Sequence, residues 1–544
     1  MSRWILRLGH LGFLALILWG FVARFGYTYG WGDQDEVLPV VLHRLDPDLL
    51  GADWFVTLYS EAFGVREVFI RILTWLGGWL SLPVAVALLY GLVFLALAHL
   101  LWRWTATLFG SSEVAYGTTA LTLWGTLTFT LGGNRLAYSM LVPEMPAVAL
   151  ALLGLLAYVR GRWLLAAIPL GLACWLHPLV GLQVGGLLGL LTLLTSSHPP
   201  LHRLLYALAF GAVALAVAAP VLWPLWLTQQ AWRAPVSAES LFYILVQFRN
   251  PHHYLAFAFP ALQWGKFTLL VLFALLARSL QPRPPGDTFM RNFLLLSALL
   301  WIFSLVSVDL LGWLPVARMQ WFKLSLFAPP LLTGYGVFWL WNTLPEAFAR
   351  LLRWRGWAIG AFLLGTGLWI WTGIRHADPF WQRRLAWQGP HDPHFADLAR
   401  WARTQTEAEA VFAVPPFESR WRTAARRATV VTFQAFPYLD RAMVDWYERI
   451  QALTRIGEPP IGGYRLEPML TRSYHALQEA EWLELAQRYG IRYIVRQRHR
   501  EMSLLRFPVA YENPDWVAYR IPSPSPLEGR SGWLGYRKTT PAPP

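Results

Sequence analysis

Charge and cysteine are what this chain has least of. Asp, Glu, Lys and Arg together supply 14% of its 544 residues, and there is one cysteine, Cys174. A soluble globular chain carries about a quarter charged residues, so the shortage argues against that class. A lone cysteine excludes an intrachain disulfide and a cysteine-based zinc site. Cys174 sits in an apolar run and reads as a small packing residue. The chain has no P-loop, no G-x-S-x-G, no H-E-x-x-H and no dinucleotide fingerprint. No repeat of fixed period is present. No small-residue cleavage site follows the apolar run 11–23 behind Arg3 and Arg7, so that run reads as a retained signal anchor.

What is abundant is hydrophobic. Apolar residues make up 56% of the chain, mean hydropathy is +0.37, and there are 32 tryptophans. This is the composition of a polytopic membrane protein, with Trp favouring the membrane–water interface. The net charge of +14 comes from dispersed Arg, without a basic arm or a nucleic-acid motif. Nucleic acid is therefore not an expected partner; anionic headgroups and lipid phosphates are.

About eleven segments are apolar enough to cross a bilayer or to lie among spans that do. They centre near 11–24, 82–102, 114–132, 145–159, 163–176, 179–195, 204–226, 266–277, 292–312, 324–343 and 357–373. The pair around Trp175-Leu-His-Pro178 reads as two short helices or one broken one, because Pro178 ends or kinks a helix. Arg density in the short loops puts the N-terminus inside and the first loop and the C-terminal part outside. The first loop, 25–81, reads as two amphipathic helices, Glu36–Leu45 and Val65–Leu80, lying along the membrane interface. From Arg375 charge becomes frequent. Ala410–Val414, Thr429–Phe433 and Arg492–Arg496 read as strands, and Asp397–Thr404 and Gln478–Tyr489 as helices, the latter stopped by Gly490. The fold class is thus mainly α: a transmembrane helical bundle (1–373) with a small C-terminal α/β domain (374–522) and a Pro-rich, disordered tail (523–544).

Two constellations could carry chemistry. The first is Asp33-Gln-Asp35-Glu36 in GYTYGWGDQDEVLP. Carboxylates just outside a membrane helix could act as a general base or hold a divalent cation, or could simply start a helix. The second is a set of basic and polar residues at outer helix ends: Arg24, Arg135, His177 in WLHP, Arg249 with His252 and His253 in FRNPHHY, and Arg318 with Lys323 in ARMQWFK. Guanidinium forks suit phosphate oxygens. The bland alternative is snorkelling to headgroups. Glu144 reads as a favourable charge at a helix N-terminus. Asp440, Asp445 and Glu448 read as one solvated helix face. His252 and His253 lack a third ligand at a recognisable spacing, so the metal remains unknown.

The order of these features resembles the GT-C glycosyltransferases: an inner N-terminus, one span, a long acidic outer loop, about a dozen spans and an outer C-terminal domain. Gln34–Pro39, Leu45–Pro47, Asp53-Trp54, Trp175–Gly181, Pro251–Tyr254 and Tyr489–Val495 resemble motifs of a bacterial group of unassigned function within that superfamily, up to about Pro522. The resemblance implies an inverting transferase that moves a sugar from a polyprenyl-phosphate carrier to a glycan, lipid or protein acceptor outside a bacterial cytoplasmic membrane. It implies a first-loop Asp as base, with Asp35-Glu36 the nearest match and Asp33 the competing one. Arg and His at the outer helix ends would hold the phosphate. No particular cofactor is implied, and a divalent cation at the carboxylates is compatible. The alternatives are a non-catalytic binder of lipid-linked glycan and a glycolipid flippase.

Overall fold

A computed structural model describes residues 3–125, 130–195, 197–343, 385–386, 392–498, 500 and 502–522. The expected eleventh span (357–373), part of the third (126–129), the boundary at 373/374 and the tail after 522 lie outside these residues.

The chain is a multi-pass helical membrane protein. Seven helical segments are long and apolar enough to cross a bilayer: Leu8–Phe25, Leu82–Phe109, Pro178–Thr195, Pro200–Ala231, Ala261–Ser279, Asp287–Leu310 and Leu314–Thr343. Each coincides with an expected span. Leu88, Leu92, Leu269, Leu272, Leu295 and Leu299 are exposed on these helices, an apolar surface that only lipid can cover. Two further expected spans are shorter helices, Glu144–Val159 and Trp163–Leu176, and the one expected at 114–132 is helical over Ser112–Gly125, where the described residues stop. At 1.5 Å per residue, 14 to 16 residues reach about 21–24 Å, less than a hydrocarbon core of roughly 30 Å. Glu144–Val159 is accordingly packed inside the bundle, with Met145, Ala147, Val148, Ala151, Leu152 and Leu155 all buried, while Trp163–Leu176 keeps an exposed face of Leu164, Leu165 and Ile168. At Trp175–Pro178 the chain forms two helices, broken at an extended His177 with Pro178 opening the second.

Local sequence sets these boundaries. Pro83 lies in the first turn of Leu82–Phe109, where a missing N–H costs nothing, and Gly110, at φ +66°, closes the helix in the left-handed region. The first loop holds three helices rather than two. Leu38–Leu45 and Glu67–Gly77 match expectation, and between them Trp54–Glu61 starts on Asp53, whose carboxylate accepts from the N–H groups of Phe55 and Val56. The first of the three does not lie on an interface: Leu38, Val40 and Val41 are fully enclosed by protein. Glu67–Gly77 keeps the amphipathic form, burying Phe69, Ile70 and Leu73 while Ile72 and Trp75 are exposed.

After residue 391 the described chain builds a five-stranded sheet in the order Ala428–Thr429, Val411–Ala413, Ile491–Gln497, Trp516–Arg520, Val509–Glu512. The first three strands are parallel and the last two antiparallel. Helices Pro393–Gln405, Asp440–Thr454 and Glu479–Tyr489 pack on it. The sheet layer is not separate from the bundle loops. One core contains Val246, Phe248, Val316 and Ala317 together with Val430, Phe433, Phe436 and Trp446. A short strand, Tyr27–Thr28, also pairs with Leu385–Ala386. The first loop is thereby trapped between bundle and sheet layer, and the candidate site forms there.

Candidate functional site

Residues Gly32–Glu36 form one turn and a half of 3-10 helix, set up by Gly30 and Gly32 at φ +73° and +60°. In a 3-10 helix residues i and i+3 eclipse. Asp33 and Glu36 therefore share a face, and Asp35 points elsewhere. The run of acids does not converge.

Asp35 is completely buried. Its carboxylate accepts from Arg422 Nη1 at 3.1 and 3.3 Å and from the Thr432 hydroxyl at 2.6 Å. Arg422 Nε in turn donates to Asp53 at 2.7 Å. Asp53 also accepts from the Thr429 N–H, so its carboxylate both caps a helix and anchors the sheet layer. Burial pushes the Asp35 carboxyl up to about 6, against the pull of Arg422 and Thr432. Glu36 is buried too, paired with Arg66 and accepting from the Phe436 N–H. Burial raises its carboxyl to about 7 despite Arg66.

Asp33 differs from both. It is half-buried, and among the described residues it has no ion-pair partner; it accepts one hydrogen bond, from the Gln434 amide. Gln434 is held by Tyr464, whose hydroxyl donates to the other end of the amide. Gln34 fixes the turn by accepting from Gly30 N–H and donating to the Leu141 carbonyl.

The expected basic residues divide into paired and unpaired. Lys323 is buried against Glu144 at 3.0 Å, and Tyr138 donates to the same carboxylate. Arg318 is paired with Asp440 at 2.7 Å. Asp440 is therefore an anchor between layers, not part of a solvated face, whereas Asp445 and Glu448 pair on the surface with Arg449 and Arg488. Arg24 and Arg135 are exposed. Arg249 is buried yet has no carboxylate partner among the described residues. Its guanidinium donates to the Asn250 side chain and the Gln434 carbonyl, lies against the rings of Phe433, Phe436 and Tyr464, and leaves Nε without a partner. His252 stacks near His253 and Tyr464, its Nδ1 unpartnered. His253 Nδ1 lies 2.6 Å from the Gly132 carbonyl, which fixes the N–H there and leaves Nε2 a lone pair. Burial, reinforced by neighbouring positive charge, holds His252 well below the ordinary histidine range and His253 at about 3, so both rings are neutral at pH 7. The buried Nδ1 of His177 is likewise unpartnered.

Cancelling the pairs Arg66–Glu36, Lys323–Glu144 and Arg318–Asp440 leaves Arg249 and Asp33 as opposite charges that do not bond each other, both attached to Gln434. That arrangement suits an anion at Arg249 and a hydroxyl at Asp33. Among the described residues no group of three His, Cys, Asp or Glu side chains is placed to hold a metal ion. The residues that sequence reasoning missed are Arg66, Asp53, Arg422, Thr432, Gln434 and Tyr464. Of these only Asp53, in an LDP…DW stretch, carried a signal.

Residues 393–453 match a family described as a domain of unknown function, DUF6798. No curated protein matches the chain. Among solved structures, it is similar to ArnT from Cupriavidus metallidurans bound to undecaprenyl phosphate (14% identity, 93% of this chain and 97% of that chain, TM-score 0.49). It is also similar to the apo state of the same protein (14% identity, 93% and 96%, TM-score 0.46). A third similar structure is the Archaeoglobus fulgidus oligosaccharyltransferase tethered with an acceptor peptide (13% identity, 91% and 70%, TM-score 0.44). With TM-scores below 0.5, none of these likenesses assigns an activity to the chain.

Proposed function

We propose that this chain is a membrane glycosyltransferase that moves a sugar from a polyprenyl-phosphate donor to an acceptor hydroxyl outside the cytoplasmic membrane, with Asp33 as general base. The observation that carries the reading is Arg249, with no carboxylate partner among the described residues, beside Asp33, with no cationic partner among them, while Arg66, Lys323 and Arg318 are each held by a carboxylate. Asp33 takes the proton of the acceptor hydroxyl as the hydroxyl oxygen bonds to the anomeric carbon. The bond from that carbon to the phosphate oxygen breaks on the opposite face, and the lipid phosphate leaves. Arg249 Nε and the single N–H of the neutral His252 ring stabilise the charge that develops on it, the electrostatic share of catalysis. Asp35 is given a structural role, locked by Arg422. Lys323 and Arg318 act through the residues they hold, Glu144 and Asp440, and Arg135, on the exposed rim, meets the membrane or the donor. The sheet layer, taken as the domain 374–522, closes the site and meets the acceptor.

The test is transfer in membranes supplied with polyprenyl-linked sugar. Asp33→Asn should lower turnover by about 10³-fold or more with little change in thermal stability, a size typical of losing a general base. Asp35→Asn should instead lower stability. Full transfer by Asp33→Asn, or turnover lost in Asp35→Asn with stability intact, overturns the assignment. Lipid binding without turnover by the wild type would favour a non-catalytic binder.

A further inference from the structure

Two residues before Asp33, Trp31 turns away from the carboxylate site and lines a second cavity, of about 260 Å³, whose remaining wall comes from the sheet layer. The Gly32 N–H donates to Ser419 Oγ, so the strip of chain that carries Asp33 also forms the wall of this cavity. The lining is aromatic on one side, with Trp31 nearly half exposed and Phe417 stacked at 4.5 Å on Phe433. It is polar on the other. Glu467, Thr471 and Gln497 line that side, Glu467 exposed, Thr471 buried and Gln497 half-buried, with the Gln497 side-chain oxygen accepting from Arg500 Nε at 3.4 Å.

The charges there balance. Among the lining residues Glu418 pairs with Arg420, which also holds Asp392 at 3.0 Å, and Glu467 and Arg500 contribute one charge of each sign. A cavity with no net charge does not select an anion such as phosphate. Donors and acceptors set around an exposed indole match a ligand with many hydroxyls on one edge and C–H groups on a face. Aromatic rings present an electron-rich face to such C–H groups, and buried ligand hydroxyls need both donors and acceptors. The volume, a little below the roughly 300–1,000 Å³ of small-molecule sites, takes about one sugar ring.

We propose that this cavity binds a saccharide, and that it holds the glycan acceptor whose next hydroxyl reaches Asp33. The second half rests on the glycosyltransferase reading above; the first half does not. The experiment is saturation-transfer NMR on the detergent-solubilised full chain, with methyl glycosides of glucose, galactose, mannose, arabinose and N-acetylglucosamine as probes. Inorganic phosphate and Ser-, Thr- and Asn-containing tripeptides serve as competing classes. At least one glycoside should bind in the millimolar range. Trp31→Ala and Glu467→Gln should each weaken it tenfold or more at unchanged melting temperature. No glycoside binding, equal binding by both cavity variants, or Trp31-dependent binding of phosphate or peptide in place of sugar overturns the inference. Glycoside binding that needs Trp31, in a wild type that transfers no sugar, keeps the saccharide site and removes the transferase reading.

Discussion

Replacing Arg422 by Gln removes the cation between two fully buried carboxylates. Arg422 is 1% exposed and Asp35 and Asp53 are 0% exposed in their side chains, so water cannot take its place without opening the layer. Four side-chain hydrogen bonds end on its guanidinium: two to Asp35, one to Asp53 and one to Thr432. Removing one partner from a buried ion cluster costs about 3–5 kcal/mol, chiefly because the remaining charge is left uncompensated. For a cooperative unit the size of the sheet layer that is a fall in melting temperature of roughly 10 °C. The deficit should depend on pH with a definite sign. Burial already raises Asp35 to about 6 from 3.8, so its native form holds a proton more readily than its unfolded form. Its own contribution to stability is greatest below about pH 4 and is lost as pH rises through 6. Without Arg422 the Asp35 carboxyl prefers the neutral form still more, so the deficit should be larger at pH 7.5 than at pH 5. Adding Asp35→Asn to the Arg422→Gln variant should restore part of the loss at pH 7.5. Melting in detergent followed by tryptophan fluorescence, with limited proteolysis of the first loop, reads all three. A variant melting within about 2 °C of the wild type at pH 7.5, or a deficit independent of pH, refutes the reasoning.

Two other outcomes follow from the same geometry. His253 is held neutral by burial, at about 3 against an ordinary 6.5, so below pH 6.5 its unfolded form binds the proton more readily. Native stability should fall by about 2 kcal/mol from this residue as pH drops from 7 to 5, and His253→Gln should flatten that part of the melting-temperature profile. A Cβ at Gly462 would lie 1.8 Å from the Gln247 carbonyl oxygen, just before the turn that delivers Tyr464 to Gln434. Gly462→Ala should therefore destabilise by about 1–3 kcal/mol and also slow transfer, since backbone must move; wild-type melting and turnover in this variant would contradict the packing described.

The bundle was largely legible in the sequence because its signals are local. Apolar length placed the spans, Pro83 and Gly110 bound one of them, and Gly490 stopped its helix where expected. The short helices inside the bundle were not distinguishable from spans, since burial by protein and burial by lipid select the same residues. In the sheet layer the strands Val411–Ala413 and Ile491–Gln497 were readable, while Val509–Glu512 and Trp516–Arg520 were missed and 429–433 was read too long, with only Thr429 lying in the strand. The site was legible by region and not by role. The sequence put Asp35 ahead of Asp33 as the base, but a 3-10 turn sends the two to different partners, and the partner of Asp35 lies 387 residues away. Nothing in FESRWRTAARR singles out Arg422 among 46 basic residues. The same distance hides which cations are neutralised: Lys323 and Arg318 looked like phosphate ligands until Glu144 and Asp440 were seen beside them.

The most direct test of the central claim is a cryo-EM structure of the full chain with undecaprenyl phosphate in lipid nanodiscs. Phosphate density within hydrogen-bond reach of Arg249 Nε, with the Asp33 carboxylate facing it across open space and Asp35 still on Arg422, is the result the account predicts. Phosphate bound away from Arg249, or an Asp35 freed from Arg422 and turned toward the lipid, would contradict it.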